Sequence, residues 1–379
     1  MDRSPDSPSQ SNAPGSLFDD GWFRNQDRQD RERAIVGSML GTAVGDAIGL
    51  PYEGLSPRRA GRLLGPPDRH RFLFGRGMVS DDTEHTCMVA QSLIESQNET
   101  EFANELGRRL RNWVRMMPAG IGLATLRACA KLNVGISPLK SGVYSAGNGP
   151  AMRAAILGAA VDDLEKLRKL VAVSTRMTHI DPRAEDGAMA VALAARMARS
   201  NQPLSPFQFV AELKQLCSPQ ASQELIDFAS RAAESVERRE SSHIFANSIG
   251  LGNGVSGYVN HTVPVALHAW WSHPTDFRAA IESVILCGGD ADTTAAIVGG
   301  ITGAAVGRQG IPADWLNGVW EWPRSVQWME GLAVRLANIG TTSAGDSAPN
   351  LSWLSTLARN VFFAGTVLTH GFRRLLPPY

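Results

Sequence analysis

Two clusters of acidic and hydroxyl side chains, far apart in the chain, carry the chemistry that this sequence could perform. Residues Ser80–Thr83 read Ser-Asp-Asp-Thr, and residues Asp290–Thr294 read Asp-Ala-Asp-Thr-Thr. Carboxylates brought within a few ångströms of one another repel strongly, and a divalent cation removes that repulsion. A ligand set made only of oxygen atoms favours Mg²⁺, Mn²⁺ or Ca²⁺ over metals that prefer thiolate or imidazole.

A purely structural interpretation is available for either cluster alone. Each one follows glycines and precedes an apolar run, so each stands where a helix is predicted to begin. Ser, Thr and Asp are common N-caps, and Asp81 with Glu84 resembles a capping box. Two adjacent carboxylates are more than one cap requires, however, and the second cluster doubles the excess. We therefore expect the first acidic cluster (Ser80–Thr83) and the second acidic cluster (Asp290–Thr294) to meet in space.

The elements that must bring the clusters together are predicted to be helices. Residues 34–50 carry a glycine at every fourth position, on one helix face: Gly37, Gly41, Gly45 and Gly49. A second glycine-rich run, 295–307, follows the second acidic cluster. Each glycine inside a helix costs about 1 kcal/mol relative to alanine, and close backbone packing offsets that cost. The two runs therefore predict a tightly packed centre.

The rest of the chain also favours helices. Further helices are predicted at 83–97, 100–116, 122–133, 149–160, 162–174, 184–199, 205–217, 221–239, 275–287 and 325–337. Runs that alternate apolar and polar residues are scarce, so the expected fold class is all-α, compact and globular, with many helices.

The expected domain organisation has four parts. Residues 1–30 are rich in Ser, Pro, Asp, Asn, Gln and Arg, which predicts a disordered N-terminal tail. Residues 31–338 form the catalytic domain. Residues 339–350 are predicted to be a linker. Residues 351–379 are expected to form a C-terminal helix and tail, with the helix docked onto the main body.

Composition narrows the possible partners and compartment. Lys plus Arg and Asp plus Glu both number 37, so bulk charge indicates no nucleic-acid partner. Four scattered cysteines without CxxC spacing indicate free thiols, and we expect a cytoplasmic protein. Residues 34–52 are long enough to span a membrane, but Asp46 and Pro51 interrupt them, so we expect a buried core helix and no transmembrane segment. A monomer is expected.

Five separated motifs resemble the ADP-ribosylglycohydrolase family, which includes the dinitrogenase reductase-activating glycohydrolases and the ADP-ribosyl-acceptor hydrolases. The first acidic cluster is similar to the family's (S/T)DDT motif. The others are Gly288–Thr293, similar to GGDxDT; Gly45–Glu53, similar to GDAxGxxxE; Gly147–Arg153, similar to GNGxAMR; and Thr178-His179, similar to a TH-containing stretch. They occur in the family's order across residues 33–310.

The resemblance implies an all-α fold with a central two-metal cleft that holds two Mg²⁺ or Mn²⁺ ions. It implies six metal ligands: Ser80, Asp81, Asp82, Asp290, Asp292 and Thr293. It implies catalytic roles for Glu53, Asp82 and Asp292. It implies six substrate contacts: Gly120, Gly122, Gly147, Asn148, Gly149 and His179. Asp46 is expected to hydrogen-bond the backbone near the site or to orient a ligand, rather than to act directly in catalysis.

The implied reaction is hydrolysis of the glycosidic bond between ADP-ribose and an acceptor. The acceptor could be a protein side chain such as Arg or Ser, or the small leaving group of an ADP-ribose derivative. A two-metal phosphoester hydrolase would use the same ligands but would want basic residues around the metals, and Arg76 is the nearest in sequence. A non-catalytic ADP-ribose-binding protein is the third interpretation, and the intact clusters with Glu53 argue against it. Spacing does not encode the acceptor, which we expect the loops 54–79, 134–146 and 240–262 to select.

Overall fold

The computed structural model describes residues 28–200, 205–339 and 347–374. These residues form 17 α-helices, four short 3₁₀ segments and isolated β-bridges without a sheet, which confirms the all-α expectation. Most of the predicted tail (1–27), most of the predicted linker (340–346) and residues 375–379 lie outside the described residues.

The α-helices are numbered here in chain order. They are α1 Arg28–Gly49, α2 Pro57–Leu63, α3 Asp81–Ile94, α4 Glu99–Arg115, α5 Leu123–Asn133, α6 Ala155–Ala160, α7 Leu164–Arg176, α8 Pro182–Ala198, α9 Pro206–Leu216, α10 Gln223–Glu237, α11 Ser242–Ser248, α12 Val259–Ser272, α13 Phe277–Ile285, α14 Ala291–Gly310, α15 Ala313–Gly318, α16 Val326–Ala337 and α17 Trp353–Arg373. The 3₁₀ segments are Leu50–Tyr52, Leu73–Gly75, Pro138–Lys140 and Ala151–Arg153.

Helices α1 and α14 form the centre of the fold, and their glycines are in direct backbone contact. A Cβ atom placed on Gly41 would lie 2.1 Å from the carbonyl oxygen of Gly299, and one on Gly37 would lie 2.0 Å from that of Gly303. Real side chains cannot occupy those positions, so the glycine stripes exist because the two helices touch. The predicted tightly packed centre is confirmed.

The direction of this packing positions the second acidic cluster. The start of α1 lies against the end of α14, and Gly49 at the end of α1 lies against Ala291 at the start of α14. The antiparallel arrangement therefore brings the start of α14 beside the segment that follows α1, which carries Glu53.

Helix α1 contains the long apolar segment that could have been either a membrane span or a core helix. Among the described helices, the one running from Arg28 to Tyr52 is the one that is long and apolar enough to cross a membrane. Its apolar window is completely buried inside the protein. The expectation of a buried core helix is confirmed.

Three expectations about elements need correction. Residues 240–262, predicted as a loop, contain α11 and the first residues of α12, a helix with Pro264 in its interior. Packing of α12 against α10 and α14 outweighs the weak local signal. The predicted helix 149–160 is divided into a 3₁₀ turn and α6. Within the described residues helix α1 already includes Arg28, inside the predicted tail, and the Arg28 side chain is hydrogen-bonded to Asn338.

Candidate active site

The first acidic cluster forms the N-terminal end of α3. Ser80 occupies the N-cap position, and its hydroxyl accepts a hydrogen bond from the backbone N–H of Asp82 at 3.2 Å. The same hydroxyl donates to Asp82 Oδ2 at 3.0 Å. The serine therefore does cap the helix, as the structural interpretation predicted, and it also contacts a carboxylate that capping does not use.

Asp46 supports this helix start from behind. It lies in α1 and is completely buried. Its carboxylate accepts from the backbone N–H of Ser80 at 2.9 Å and from the Thr83 hydroxyl at 2.5 Å. Burial raises the pKa of Asp46 to about 7, and the hydrogen bonds from Thr83 and Ser80 oppose that rise. The expectation that Asp46 binds backbone beside the site is confirmed.

The second acidic cluster begins α14, and its carboxylates do not cap the helix. Asp290 occupies the N-cap position without a side-chain capping bond. Its Oδ2 atom instead accepts a hydrogen bond from the Asn148 side-chain amide at 2.6 Å, and that amide also donates to Thr262 Oγ1 at 3.0 Å. Because the Asp290 carboxylate binds a side-chain amide and not the N–H groups of its own helix, a binding role explains it better than capping does.

The two clusters meet in space, as the sequence predicted. The Thr293 hydroxyl of the second cluster donates to Asp82 Oδ2 of the first at 3.3 Å. Asp82 and Asp292 are both buried, and one carboxylate oxygen of each, Oδ1, has no hydrogen-bond partner. A buried carboxylate oxygen without a donor costs free energy, so these two atoms need a ligand from outside the chain.

Glu53 is delivered to the same place by a backbone contact. Gly54 donates to the carbonyl oxygen of Gly289 at 2.7 Å, and Gly289 donates to that of Leu55 at 2.8 Å. Both glycines have positive φ values, 71° and 80°, which other residues rarely adopt. These two bonds attach the Glu53 loop to the residue before Asp290. The Glu53 side chain remains accessible to solvent, unlike those of Asp82 and Asp292.

The residues of the two clusters that meet form what we call the acidic centre: Ser80, Asp81, Asp82, Asp290, Asp292 and Thr293, with Glu53 at its edge. Burial raises the pKa of Asp82 and of Asp292 well above the usual range, and neighbouring carboxylates raise both further. Burial, Asp46, Glu84 and Glu53 do the same to the pKa of Asp81. Partial burial and the charge of Asp290 raise the pKa of Glu53.

The acidic centre has the donor chemistry of a divalent-cation site but not yet its geometry. Among the residues that the structure describes, no three His, Cys, Asp or Glu side chains stand close enough together to hold an ion as they are placed. The unpartnered oxygens of Asp82 and Asp292, and the exclusively oxygen donors around them, nevertheless fit Mg²⁺ or Mn²⁺.

The predicted substrate residues gather around a histidine. A Cβ atom on Gly147 or on Gly149 would lie 3.1 Å from the His179 ring, so both glycines pack directly on it. The Nδ1 atom of His179 is hydrogen-bonded to the Thr178 hydroxyl at 2.9 Å, and Arg153 donates to that hydroxyl at 2.8 Å. Burial and the Arg153 charge lower the pKa of His179 to about 3, so its ring is neutral at physiological pH.

The glycines before α5 lie on the same side of the molecule. Gly122 is the N-cap residue of α5, and Thr125 in the first turn of that helix lies close to Gly149. A side chain on Gly120 or Gly122 would meet nothing within 4 Å, so this turn faces open space. The predicted substrate residues are thus neighbours in space, although their separations in sequence are large.

Sequence reasoning missed several side chains that organise this site. Asn148 was predicted only as a substrate contact, and its side-chain amide also holds Asp290. Arg153 is fully buried and joins His179 to His85, whose ring nitrogen lies 2.9 Å from the guanidinium. Arg153 is the last residue of the GNGPAMR segment, and its place in that motif was the sequence feature that could have pointed to its role.

The comparisons with known proteins agree with this geometry. The family model described as ADP-ribosylglycohydrolase matches residues 25–345. The chain belongs to the ADP-ribosylglycohydrolase family. A solved structure named "ADP-ribosylglycohydrolase-related protein complex" has a TM-score of 0.59 and 26% sequence identity, and the match covers 82% of this chain and 99% of the other.

Curated members of the ADP-ribosylglycohydrolase family show the same relationship in sequence. An uncharacterized protein of Archaeoglobus fulgidus is 31% identical, over 80% of this chain and 96% of its own. ADP-ribosylhydrolase ARH3 of Gallus gallus is 26% identical over 74% of this chain and 87% of its own. The ADP-ribosyl-[dinitrogen reductase] glycohydrolase of Rhodospirillum rubrum is 26% identical over 76% and 90%.

Proposed function

We propose that this protein hydrolyses the glycosidic bond between ADP-ribose and an acceptor, and that the reaction requires Mg²⁺ or Mn²⁺ at the acidic centre. The observation that carries the proposal is the direct contact of the two clusters, Thr293 with Asp82, beside two buried carboxylate oxygens that lack a partner. If the two Asp-rich helix starts served only as caps, nothing would require them to be in contact.

The predicted ligands for the ions are the six residues of the centre: Ser80, Asp81, Asp82, Asp290, Asp292 and Thr293. When bound, the cations supply Lewis-acid activation and neutralise the carboxylates. Asn148 and Asp46 orient the two carboxylate groups from outside, because Asn148 donates to Asp290 and Asp46 accepts from the backbone of Ser80. Such supporting residues fix a ligand's orientation and its basicity.

Glu53 is the proposed general acid or base. It lies at the solvent-accessible edge of the centre, and partial burial and the charge of Asp290 raise its pKa, which favours a proton-transfer role. The transition state of glycoside hydrolysis resembles an oxocarbenium ion, so a carboxylate beside the anomeric carbon also stabilises developing positive charge.

His179 is the proposed contact to the ribose. Its ring is neutral, and its Nδ1 atom is already used by Thr178. The remaining nitrogen, Nε2, lies beside Gly147, and a side chain at that position would meet it. The turn at Gly120 and Gly122 is the proposed neighbour of the pyrophosphate, since it faces open space next to the start of α5.

The acceptor is a protein side chain such as Arg or Ser, or a small group carried by an ADP-ribose derivative. We propose a cytoplasmic monomer without nucleic-acid partners. Four free, buried cysteines support a reducing compartment, and the balanced charge of the chain supports the absence of a nucleic-acid partner.

The test is to incubate the protein with arginine-, serine- and phosphate-linked ADP-ribose and to follow release of free ADP-ribose. Mg²⁺-dependent release that stops with a chelator supports the proposal. Glu53→Gln should lower turnover by about 10²–10⁴-fold, with calorimetric affinity for ADP-ribose little changed. Glu237→Gln, at an exposed glutamate in α10, is the matched control.

Two outcomes would overturn the proposal. Hydrolysis of simple phosphoesters, with no action on any glycosidic linkage, would identify a two-metal phosphoesterase. Tight ADP-ribose binding with no turnover of any of the three substrates would identify a binding protein.

A further inference from the structure

The C-terminal helix α17 reaches the acidic centre although it lies beyond the part of the chain that the family model matches. The match ends at residue 345, and α17 begins at Trp353. Two arginines of the helix contact the main body near the proposed site, Arg359 in its second turn and Arg374 at its C-cap. Each of them binds backbone immediately beside a residue of the proposed site.

Arg359 supports the first acidic cluster. It is 1% exposed and donates to both carboxylate oxygens of Glu321 at 2.7 Å. It also donates to the carbonyl oxygen of Val79, the residue before the cluster, while the Val79 N–H donates to Glu321 at 3.2 Å. Its guanidinium lies 3.6 Å from Glu84, in the first turn of α3. Glu84 is buried and also pairs with Arg324 at 2.6 Å.

Arg374 holds the loop that carries Glu53. One guanidinium nitrogen donates to the carbonyl oxygen of Glu53 at 2.6 Å, and the other donates to that of Pro51 at 2.8 Å. His370, one helical turn earlier, places its Nε2 atom 3.1 Å from the same Pro51 oxygen. The positive charge of Arg374 also acts on the carboxylates of Glu53 and Asp292.

We propose that α17 is a working part of the active site and that Arg374 is a positioning residue for Glu53. On its other side the Glu53 loop is attached by the two bonds between Gly54, Leu55 and Gly289. Gly54, with its positive φ, belongs to that attachment and directly follows Glu53 in the chain. Arg374 is thus a side-chain contact that holds the Glu53 backbone in addition to that attachment, and its positive charge attracts the Glu53 carboxylate and opposes the repulsion from Asp290.

The proposal rests on the proposed function for its activity readout, but not for its structural one. The variants are Arg374→Gln, Arg374→Lys and, as matched control, Arg373→Gln. Arg373 is the adjacent arginine and its side chain is exposed. The structural readout is amide hydrogen exchange of the peptide covering residues 48–56, which needs no substrate. The activity readout is kcat and KM for the best ADP-ribosylated substrate.

Arg374→Gln should raise exchange in residues 48–56 and lower kcat by about tenfold to 100-fold, the cost of a displaced catalytic group, with little change in KM. Arg374→Lys should recover part of kcat, because lysine keeps the charge and can still donate to one carbonyl. Arg373→Gln should match the wild type in both readouts.

Wild-type exchange in Arg374→Gln would overturn the inference, and so would wild-type kcat. A change in KM alone would also overturn it, because a positioning residue for a general acid or base acts on kcat. A wild-type protein that hydrolyses none of the substrates would sink the proposed function; the exchange comparison would then still decide whether Arg374 holds the Glu53 loop.

Discussion

At the start of α3 the acidic cluster is supported by other charged side chains, whereas at the start of α14 it is supported by backbone. Asp46 and the buried ion pairs of Glu84 lie behind the first cluster. Behind the second lie the positive-φ turn at Gly288 and Gly289 and the glycine contacts between α14 and α1. The first support depends on charge and the second on the absence of side chains. Different substitutions should therefore break each one.

The largest effect is expected from Asp292→Asn in the second cluster. Asparagine caps a helix about as well as aspartate, so a residue that only capped would tolerate the change. A metal ligand would not: a Lewis-acid contribution of several kcal/mol corresponds to about a thousandfold loss of rate. Metal affinity measured by calorimetry and hydrolysis should fall together.

The control for this test is Asp276→Asn, at an N-cap of α13 whose carboxylate accepts from Ala279 N–H. It should leave both metal affinity and rate unchanged. An Asp292→Asn protein that binds two ions and turns over normally would return the second cluster to a capping role.

Removing charge behind the first cluster should damage the fold itself. Glu84→Gln leaves the buried Arg324 without its carboxylate partner and removes one of the two carboxylates beside Arg359. Removing one partner of a buried ion pair costs about 3–5 kcal/mol. Denaturant unfolding of the metal-free protein measures the loss. Glu234→Gln breaks the exposed pair with Arg238, which solvent screens, and should leave stability nearly unchanged. Equal losses in the two variants would contradict the view that charge supports the first cluster.

Adding a methyl group behind the second cluster should cost somewhat less. A Cβ atom on Gly299 would lie 2.1 Å from the carbonyl oxygen of Gly41. Gly299→Ala must separate α14 from α1, and overpacking of this kind typically costs about 1–3 kcal/mol. Gly331→Ala, in α16 where nothing lies within 4 Å, should instead stabilise the helix by up to about 1 kcal/mol. A thermal melt of each variant decides the point, and a stable Gly299→Ala protein would argue against close helix contact.

The smallest effect is expected for the pH dependence of Tm, compared between the metal-free wild type and Asp292→Asn. The folded-state pKa of Asp292 is raised, so the folded protein holds this proton above about pH 3.9, where the unfolded chain releases it. The wild type should therefore lose stability relative to the variant as pH rises above about 4 toward the raised folded-state pKa. Buried histidines such as His268, whose pKa burial lowers to about 4, act in the opposite direction and cancel in the difference. A difference in Tm that stays flat with pH would show that Asp292 is not a buried, repelled carboxylate.

Much of the site could be predicted because its signals are local. The acidic residues stand at helix starts, and the glycines recur every fourth residue, so motif and spacing pointed to the contact between α1 and α14 and to the meeting of the clusters. Asp46 was assigned correctly for the same reason, since it lies in the striped helix. Helix α12 was missed because Pro264 and its polar first turn weaken a helical pattern that only burial against α10 and α14 restores.

The sequence by itself determined the fold class, the family and the two clusters of carboxylate and hydroxyl side chains, because each follows from the types and spacing of residues close together in the chain. Only the tertiary structure decided which distant side chains hold them: Asn148 on Asp290, Arg359 behind the first cluster and Arg374 on the Glu53 loop. An arginine near a chain terminus looks like any surface arginine in a sequence. Its role depends on where a helix docks, and docking is set by the shape of a packed core rather than by any local pattern.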